Sequence, residues 1–105
     1  MSDAGSFDRQ LRFAIEHKRL IEVQYDGRLR VAEPHDYGVK NGRPKVLVYQ
    51  LRASGRAQAA RARGWRLLDV GKIVLCAVSD STFAGSRADP SQQHFTWDEI
   101  YARVN

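Results

Sequence analysis

The segment from Ile21 to Pro34, IEVQYDGRLRVAEP, constrains the fold more than any other part of the chain. Apolar and polar residues alternate on both sides of Asp26-Gly27, and a period of two is typical of strands with one buried face. Asp-Gly favours a two-residue turn because both turn positions take positive φ. The segment therefore predicts an antiparallel hairpin that Pro34 ends, with arginines on its polar face and with five core-facing side chains: Ile21, Val23, Tyr25, Leu29 and Val31.

The rest of the chain predicts further short strands between two small helices. Residues 1–6 are expected to be disordered, and Ser6 then caps a helix that runs to about Lys18 and buries Phe7, Leu11, Ala14 and Ile15. Residues 34–39 are irregular or a strand, Asn41-Gly42 predicts a second hairpin turn, and further strands are expected at 45–51, 65–70 and 73–78. The capping box from Thr96 to Glu99 predicts a short C-terminal helix to about Val104. The pattern indicates a mainly β (α+β) fold, a small, strongly bent barrel of about five strands.

The size and composition of the chain fit a single domain over residues 7–105. Its 105 residues, 43% of them hydrophobic and 28% charged, are those of an ordinary globular protein. The N-terminus lacks the pattern of a signal peptide, and the apolar runs are far shorter than the roughly 20 residues of a spanning helix, so we expect a cytoplasmic protein without a membrane partner. A single cysteine, Cys76, lies in an apolar run and is expected to fill the core. The net charge of +5 favours anionic partners.

The hairpin motif resembles the WYL domain. The resemblance covers residues 11–83 and depends on the spacing of Tyr25, Gly27, Arg30 and Pro34, followed by the turn at Gly42 and an aromatic-arginine pair. The triplet that names the family falls on Lys45-Val46-Leu47, of which only Leu47 matches, and the later Arg-Leu-Asp-Arg-Ile element falls on residues 69–73. The resemblance implies a bacterial, stand-alone domain with an Sm-like or SH3-like barrel, of the kind that serves transcription regulation by sensing nucleic acid or nucleotide-like ligands through basic residues in a groove.

Candidate ligand-binding residues are mostly basic or aromatic. Arg30 offers a planar fork suited to phosphate, and its alternative is a surface pair with Glu22 across the hairpin. Trp65 and Arg66 together could stack on a base and hold a phosphate, although a tryptophan in such a strand is more often core. Weaker phosphate contacts, or simply a solvated loop, are expected from Arg52, Arg56, Arg61 and Arg63. The remaining candidates for the ligand groove are Lys72, Tyr25, Tyr37 and His35.

The sequence does not predict an enzyme, a metal site or a cofactor. His17, His35 and His94 lie far apart, no cysteine and histidine pattern has metal-site spacing, and no glycine-rich phosphate loop is present. We therefore expect a non-enzymatic ligand-sensing or regulatory module, a monomer or homodimer, that recognises an anionic ligand such as single-stranded nucleic acid or a nucleotide. The alternative is a protein-interaction or oligomerisation domain, with a regulatory protein as a further possible partner.

Overall fold

The structure is a computed structural model that describes residues 3–54, 63–88 and 96–105, with side chains from Phe7 onward. Within these residues the chain forms one α-helix, six strands and a short 3₁₀ helix between the fourth and fifth strands. Their bounds are α1 Asp3–Glu16, β1 Arg19–Tyr25, β2 Arg28–Lys40, β3 Arg43–Ala53, β4 Gly64–Asp69, the 3₁₀ helix Val70–Lys72, β5 Leu75–Thr82 and β6 Glu99–Arg103.

All six strands belong to one antiparallel sheet. The hydrogen-bonded order is β4-β3-β2-β1-β5, and β6 pairs with the second half of β2. The mainly β fold with an N-terminal helix is therefore confirmed. Within the described residues the sheet does not close on itself, so the predicted barrel is not confirmed.

Both predicted hairpin turns are confirmed. Asp26 and Gly27 have φ of 51° and 75°, and Asn41 and Gly42 have φ of 55° and 76°. Tyr25 pairs with Arg28 across the first turn, which makes it a two-residue loop. Positive φ at both positions matches the twist of the flanking strands and explains the choice of these dipeptides.

The prediction that Pro34 ends the second strand is wrong, because β2 continues to Lys40. Pairing with β1 stops at Ala32 and pairing with β6 starts at Asp36, so Pro34 lies between the two partners. The register with β3 also shifts between Pro34 and Asp36, which makes His35 the extra residue of a bulge. A proline without an N–H is tolerated at such an interruption of the ladder.

Helix α1 covers the face of the sheet that carries the hydrophobic core. It begins at Asp3, so Ser6 lies inside the helix and is not its N-cap, and it ends at Glu16, shortly before Lys18 with φ of 54°. The predicted apolar stripe is buried as expected: Phe7, Leu11, Ala14 and Ile15. It packs on Ile21, Val23, Ala32, Tyr37, Val46, Val48, Leu68, Val70, Ile73 and Val104. In the described part of the chain, no helix combines the length and the apolar character that crossing a bilayer requires.

The predicted C-terminal helix is wrong, because residues 99–103 form strand β6. The second half of β2 offers them a hydrogen-bonding edge at Asp36 to Val39. Gly38 lets β6 approach closely, since a Cβ at this position would collide with the carbonyl oxygen of Glu99. Pairing with an open strand edge therefore outweighs the local capping signal.

Candidate functional site

The register of the first hairpin places Arg30 on the core face of the sheet, which is the face that carries Ile21 and Val23. Arg30 lies directly opposite Val23, and opposite residues of an antiparallel pair share a face. Leu29 and Val31 instead lie opposite Gln24 and Glu22 on the outer face. The prediction that Leu29 and Val31 face the core is therefore wrong, as is the proposed surface pair between Arg30 and Glu22.

Arg30 is held by neutral acceptors at the end of the core face. Its Nε donates to the Tyr25 carbonyl oxygen at 3.2 Å, and its Nη1 donates to Gln50 Oε1 at 2.9 Å. The guanidinium carbon also lies 5.5 Å from the centroid of the Tyr25 ring. No carboxylate of the described residues lies within ion-pair distance of Arg30. The positive charge is thus fixed in place without an anionic partner in this part of the chain.

Arg28 and Arg66 join Arg30 on this face, and we call the three residues the arginine cluster. Arg28 lies two positions before Arg30 on β2, and Arg66 pairs with the core residue Val48. Burial, followed by the nearby charges of Arg28 and Arg66, lowers the pKa of Arg30, and the charge of Asp26 opposes this. The lowered pKa records an unfavourable concentration of positive charge in a partly desolvated position.

Tyr25 extends from β1 across the end of the core face to β4. Its hydroxyl accepts a hydrogen bond from the Asp69 amide at 3.1 Å, although β1 and β4 are not neighbours in the sheet. The ring therefore lies beneath the Arg30 guanidinium and fixes its position. This contact links β1 to β4 across β2 and β3.

Trp65 does not share this face with Arg66. Neighbouring residues of a strand point to opposite faces, and Trp65 pairs with Tyr49, which in turn pairs with Glu33. Glu33, Tyr49 and Trp65 thus form a row across the outer face of β2, β3 and β4. A single ligand held by both Trp65 and Arg66, as the sequence suggested, does not fit this geometry.

Glu33, the acidic residue of this row, contacts the buried His35. Glu33 Oε1 lies 3.2 Å from His35 Nε2, a geometry in which the Nε2–H tautomer donates to the carboxylate. The His35 ring is fully buried and meets Trp65 at 4.8 Å and Phe83 at 5.4 Å between centroids. Burial lowers the pKa of His35, while the hydrogen bond to Glu33 opposes that shift. We call Glu33, His35, Tyr49 and Trp65 the Glu33 site.

Arg87 completes the Glu33 site from a segment without regular secondary structure, residues 83–88. Its Nε and Nη2 donate to Glu33 Oε1 and Oε2 at 2.8 Å and 2.9 Å, a bidentate pair. Its guanidinium carbon lies 3.7 Å from the centroid of the Tyr49 ring. The sequence analysis missed both Glu33 and Arg87. No local pattern connects residues 54 positions apart.

The other predicted site residues lie apart from the arginine cluster or outside the described residues. Tyr37 is buried in the core, where its hydroxyl donates to Asp8 Oδ1 at 2.6 Å, so its ring does not line a groove. Lys72 is exposed at the end of the 3₁₀ helix. Arg52 and Arg63 are exposed, and Arg52 lies on the outer face opposite Val31. The remaining candidates, Arg56 and Arg61, lie outside the described residues, as does His94.

No group of three or more histidine, cysteine or acidic side chains in residues 3–54, 63–88 and 96–105 is arranged to hold a metal ion. Comparison with protein families, with curated proteins and with solved structures found no match to this chain. The resemblance to the WYL domain therefore depends on the sequence motifs alone and stays a prediction.

Proposed function

We propose that this protein is a non-enzymatic binding module, ligand-sensing or regulatory, that recognises a phosphate-bearing anion at the arginine cluster. Single-stranded nucleic acid or a nucleotide is the ligand class we favour, and a WYL-like incomplete barrel is the fold we propose for the bent sheet. One observation carries the proposal. The Arg30 guanidinium is partly buried, points its hydrogen bonds at neutral acceptors and has like charges beside it.

Removing the Arg30 cation partly from water costs free energy. A buried charge is normally paired, and like charges beside it raise its free energy. Arg30 has Arg28 and Arg66 as its charged neighbours, with Asp26 as the acidic group that opposes them. A bound phosphate would lower the free energy of all three guanidinium groups at once, because two or more arginines can donate to its oxygens.

The geometry also indicates how selective such a site is. Tyr25 already bonds the Asp69 amide and lies beneath Arg30, and Trp65 lies on the other face of the sheet. The described aromatic rings are therefore poorly placed to read bases beside the arginine cluster. We expect contacts with phosphate groups to dominate, with weak preference among base sequences.

Fluorescence anisotropy with labelled single-stranded and duplex oligonucleotides at several salt concentrations tests this function. Arg30→Gln removes one charge from the cluster, and Arg52→Gln is the matched control, because it removes one charge from the outer face. A charge-assisted hydrogen bond contributes about 1.5–3 kcal/mol, so Arg30→Gln should weaken binding by roughly tenfold or more. Each lost contact with a single strand should reduce the salt slope by about 0.7.

Two results would contradict the proposal. Wild-type protein that binds no oligonucleotide at low salt, and no nucleotide in a parallel titration, would remove the anionic ligand class. Equal losses in Arg30→Gln and Arg52→Gln would mean that binding follows net charge and not the arginine cluster.

A second function, self-association, is favoured by exposed apolar side chains on the outer face. Val74 and Leu75 are 67% and 64% exposed, and Leu29 is 44% exposed. Leu29 and Leu75 both pair with Gln24, so the two leucines lie on either side of one residue. Within the described residues β5 is also an edge strand, and β5 carries one charged residue, Asp80, which is little protection against pairing with a second copy.

Sedimentation equilibrium over a range of protein concentrations tests self-association. If two copies pair through β5, Leu75→Glu should shift a dimer toward the monomer, because it places a charge in the apolar contact. Ser81→Glu adds the same charge at another exposed position of β5 and serves as the control. A wild-type protein that is monomeric at high concentration would refute this function and leave the arginine cluster unaffected.

A further inference from the structure

We propose that the Glu33 site is a guanidinium-binding site, occupied by the chain's own Arg87 and open to an arginine side chain of a partner polypeptide when residues 83–88 move away. We call residues 83–88 the strap. This site lies on the outer face of the sheet, so it is separate from the arginine cluster on the core face. The proposal does not depend on the function assigned to that cluster.

Glu33 and Tyr49 together have the chemistry of an arginine-binding site. Glu33 supplies two carboxylate oxygens that accept from the Nε and Nη2 of the guanidinium, and Tyr49 supplies an aromatic face beneath it. This arrangement suits arginine better than lysine, because an ammonium group is attracted to an aromatic face but is not planar and has no rigid fork of parallel donors. The site therefore discriminates between the two basic side chains.

The sheet fixes the residues that receive the guanidinium. Glu33 and Tyr49 are direct partners in the β2–β3 ladder, and Trp65 follows Tyr49 on β4. Trp65 packs edge-on against the Tyr49 ring at 5.2 Å between centroids. His35 holds Glu33 Oε1 from the buried side, and the Glu33 side chain is only 9% exposed. A preorganised site of this kind loses little entropy when a new arginine binds.

Arg87, which occupies the site, is not held by the sheet as Glu33 and Tyr49 are. Arg87 belongs to a strap outside the sheet, and its side chain is 34% exposed, so the bound guanidinium borders solvent. The strap's backbone donates from Phe83 N to Lys18 O and from Ser86 N to Asn105 O, each at 2.9 Å, and the Phe83 ring packs against His35, so these contacts anchor the strap before Arg87. The side chain of Arg87 is the strap's contact with the Glu33 carboxylate. An arginine from another polypeptide can reach the same atoms once this one is withdrawn.

Withdrawal of Arg87 changes the charge of the site. Without Arg87, the Glu33 carboxylate would keep His35 as a neutral donor and would have no cation from the strap. A carboxylate in apolar surroundings is unfavourable without its counter-ion, so the emptied site gains free energy when a replacement cation binds. The chain's own Arg87 is present at a high effective concentration and therefore competes with any partner. The strap thus sets the apparent affinity of the site.

Removing the occupant and supplying its side chain in solution tests this inference. The variant is Arg87→Ala, the probe is N-acetyl-arginine amide, and the observable is the indole N–H signal of Trp65 in ¹⁵N-labelled protein, assigned with Trp65→Phe. We expect millimolar binding to Arg87→Ala, binding at least tenfold weaker to the wild-type protein, and binding at least tenfold weaker for N-acetyl-lysine amide.

A double variant and a thermal measurement keep the test decisive. Arg87→Ala with Glu33→Gln should lose the response to the probe, since the carboxylate is the anionic half of the site. If Arg87→Ala is folded but destabilised, the probe should raise its midpoint of thermal unfolding in proportion to the logarithm of the probe concentration. If Arg87→Ala does not fold, Arg87→Met, which keeps the aliphatic stem, takes its place. Equal responses to the arginine and lysine probes, or no response of either variant, would overturn the proposal.

Discussion

Replacing Tyr37 with phenylalanine should loosen helix α1 from the sheet, and the structure fixes the magnitude. The Tyr37 ring is 3% exposed, and its hydroxyl donates to Asp8 Oδ1 at 2.6 Å, which joins β2 to α1. Burial and this hydrogen bond raise the pKa of Tyr37 above its ordinary value, so the hydroxyl is a donor at neutral pH. A hydrogen bond to a charged group contributes about 1.5–3 kcal/mol.

The lower end of that range applies, because Asp8 keeps a second partner. Arg12 Nε lies 3.0 Å and 3.1 Å from the two Asp8 carboxylate oxygens, and the Asp8 side chain is 33% exposed to water. The carboxylate is therefore not stranded when the hydroxyl is removed. We expect Tyr37→Phe to reduce the free energy of unfolding by about 1.5 kcal/mol, and the midpoint of thermal unfolding by about 6–12 °C for a domain of this size.

Urea denaturation of Tyr37→Phe, Asp8→Ala and the double variant measures this contribution. The matched control is Tyr101→Phe, whose ring packs against Tyr37 at 5.1 Å and whose hydroxyl has no recorded partner in the described residues. The cycle should return a coupling of about 1 kcal/mol or more between Tyr37 and Asp8. A loss in Tyr37→Phe no larger than in Tyr101→Phe, or a coupling near zero, would refute the reasoning.

Three further predictions test other parts of the fold. Gly38→Ala should cost about 1–3 kcal/mol and reduce the hydrogen-exchange protection of the β6 amides, because the added Cβ collides with the β6 backbone, and unchanged protection would contradict this. Burial lowers the pKa of His35, so the unfolded chain binds this proton more tightly than the folded chain. The free energy of unfolding therefore decreases as the pH falls below 6.5, the ordinary pKa of the histidine. The free energy of unfolding should therefore fall less between pH 7 and pH 5 in His35→Gln than in the wild type, and equal falls would contradict this. Burial raises the pKa of Cys76 to about 11, so a disulfide reagent at pH 8 should label the native thiol at least tenfold more slowly than the urea-unfolded one, and equal rates would show an accessible thiolate.

The sequence was sufficient to predict the elements with strong local signals. Asp-Gly and Asn-Gly favour positive φ at both positions of a hairpin turn, and Asp26-Gly27 and Asn41-Gly42 have it here. The apolar stripe of α1 is buried against the sheet, as its helical spacing predicts. The position of Arg30 was also within reach of the sequence. A two-residue turn pairs Tyr25 with Arg28, and counting back along the strands then pairs Val23 with Arg30. Extending the apolar alternation through the turn, without counting the register, placed Leu29 and Val31 on the wrong face.

Two features of the site required the tertiary structure. The pair of Glu33 and Arg87 joins distant parts of the chain, and each residue alone reads as a surface charge. The local sequence of the segment that becomes β6 favours a helix, because it carries a capping box and a helical apolar stripe. Only the open edge of β2 beyond Ala32, which is absent from any local window, makes it a strand.

The bulge at His35 explains why alternation could not be followed along β2. Before the bulge Ala32 and Pro34 share the core face, and after it Tyr37 does, so the parity of the strand changes at His35. One extra residue reverses every later side chain of a strand. Glu33 and His35 lie two positions apart before the reversal and share the outer face, whereas the reversal returns Tyr37 to the core. The bulge therefore places Tyr37 beneath α1, and a variant that removed it would turn Tyr37 to the outer face and Asp36 to the core face.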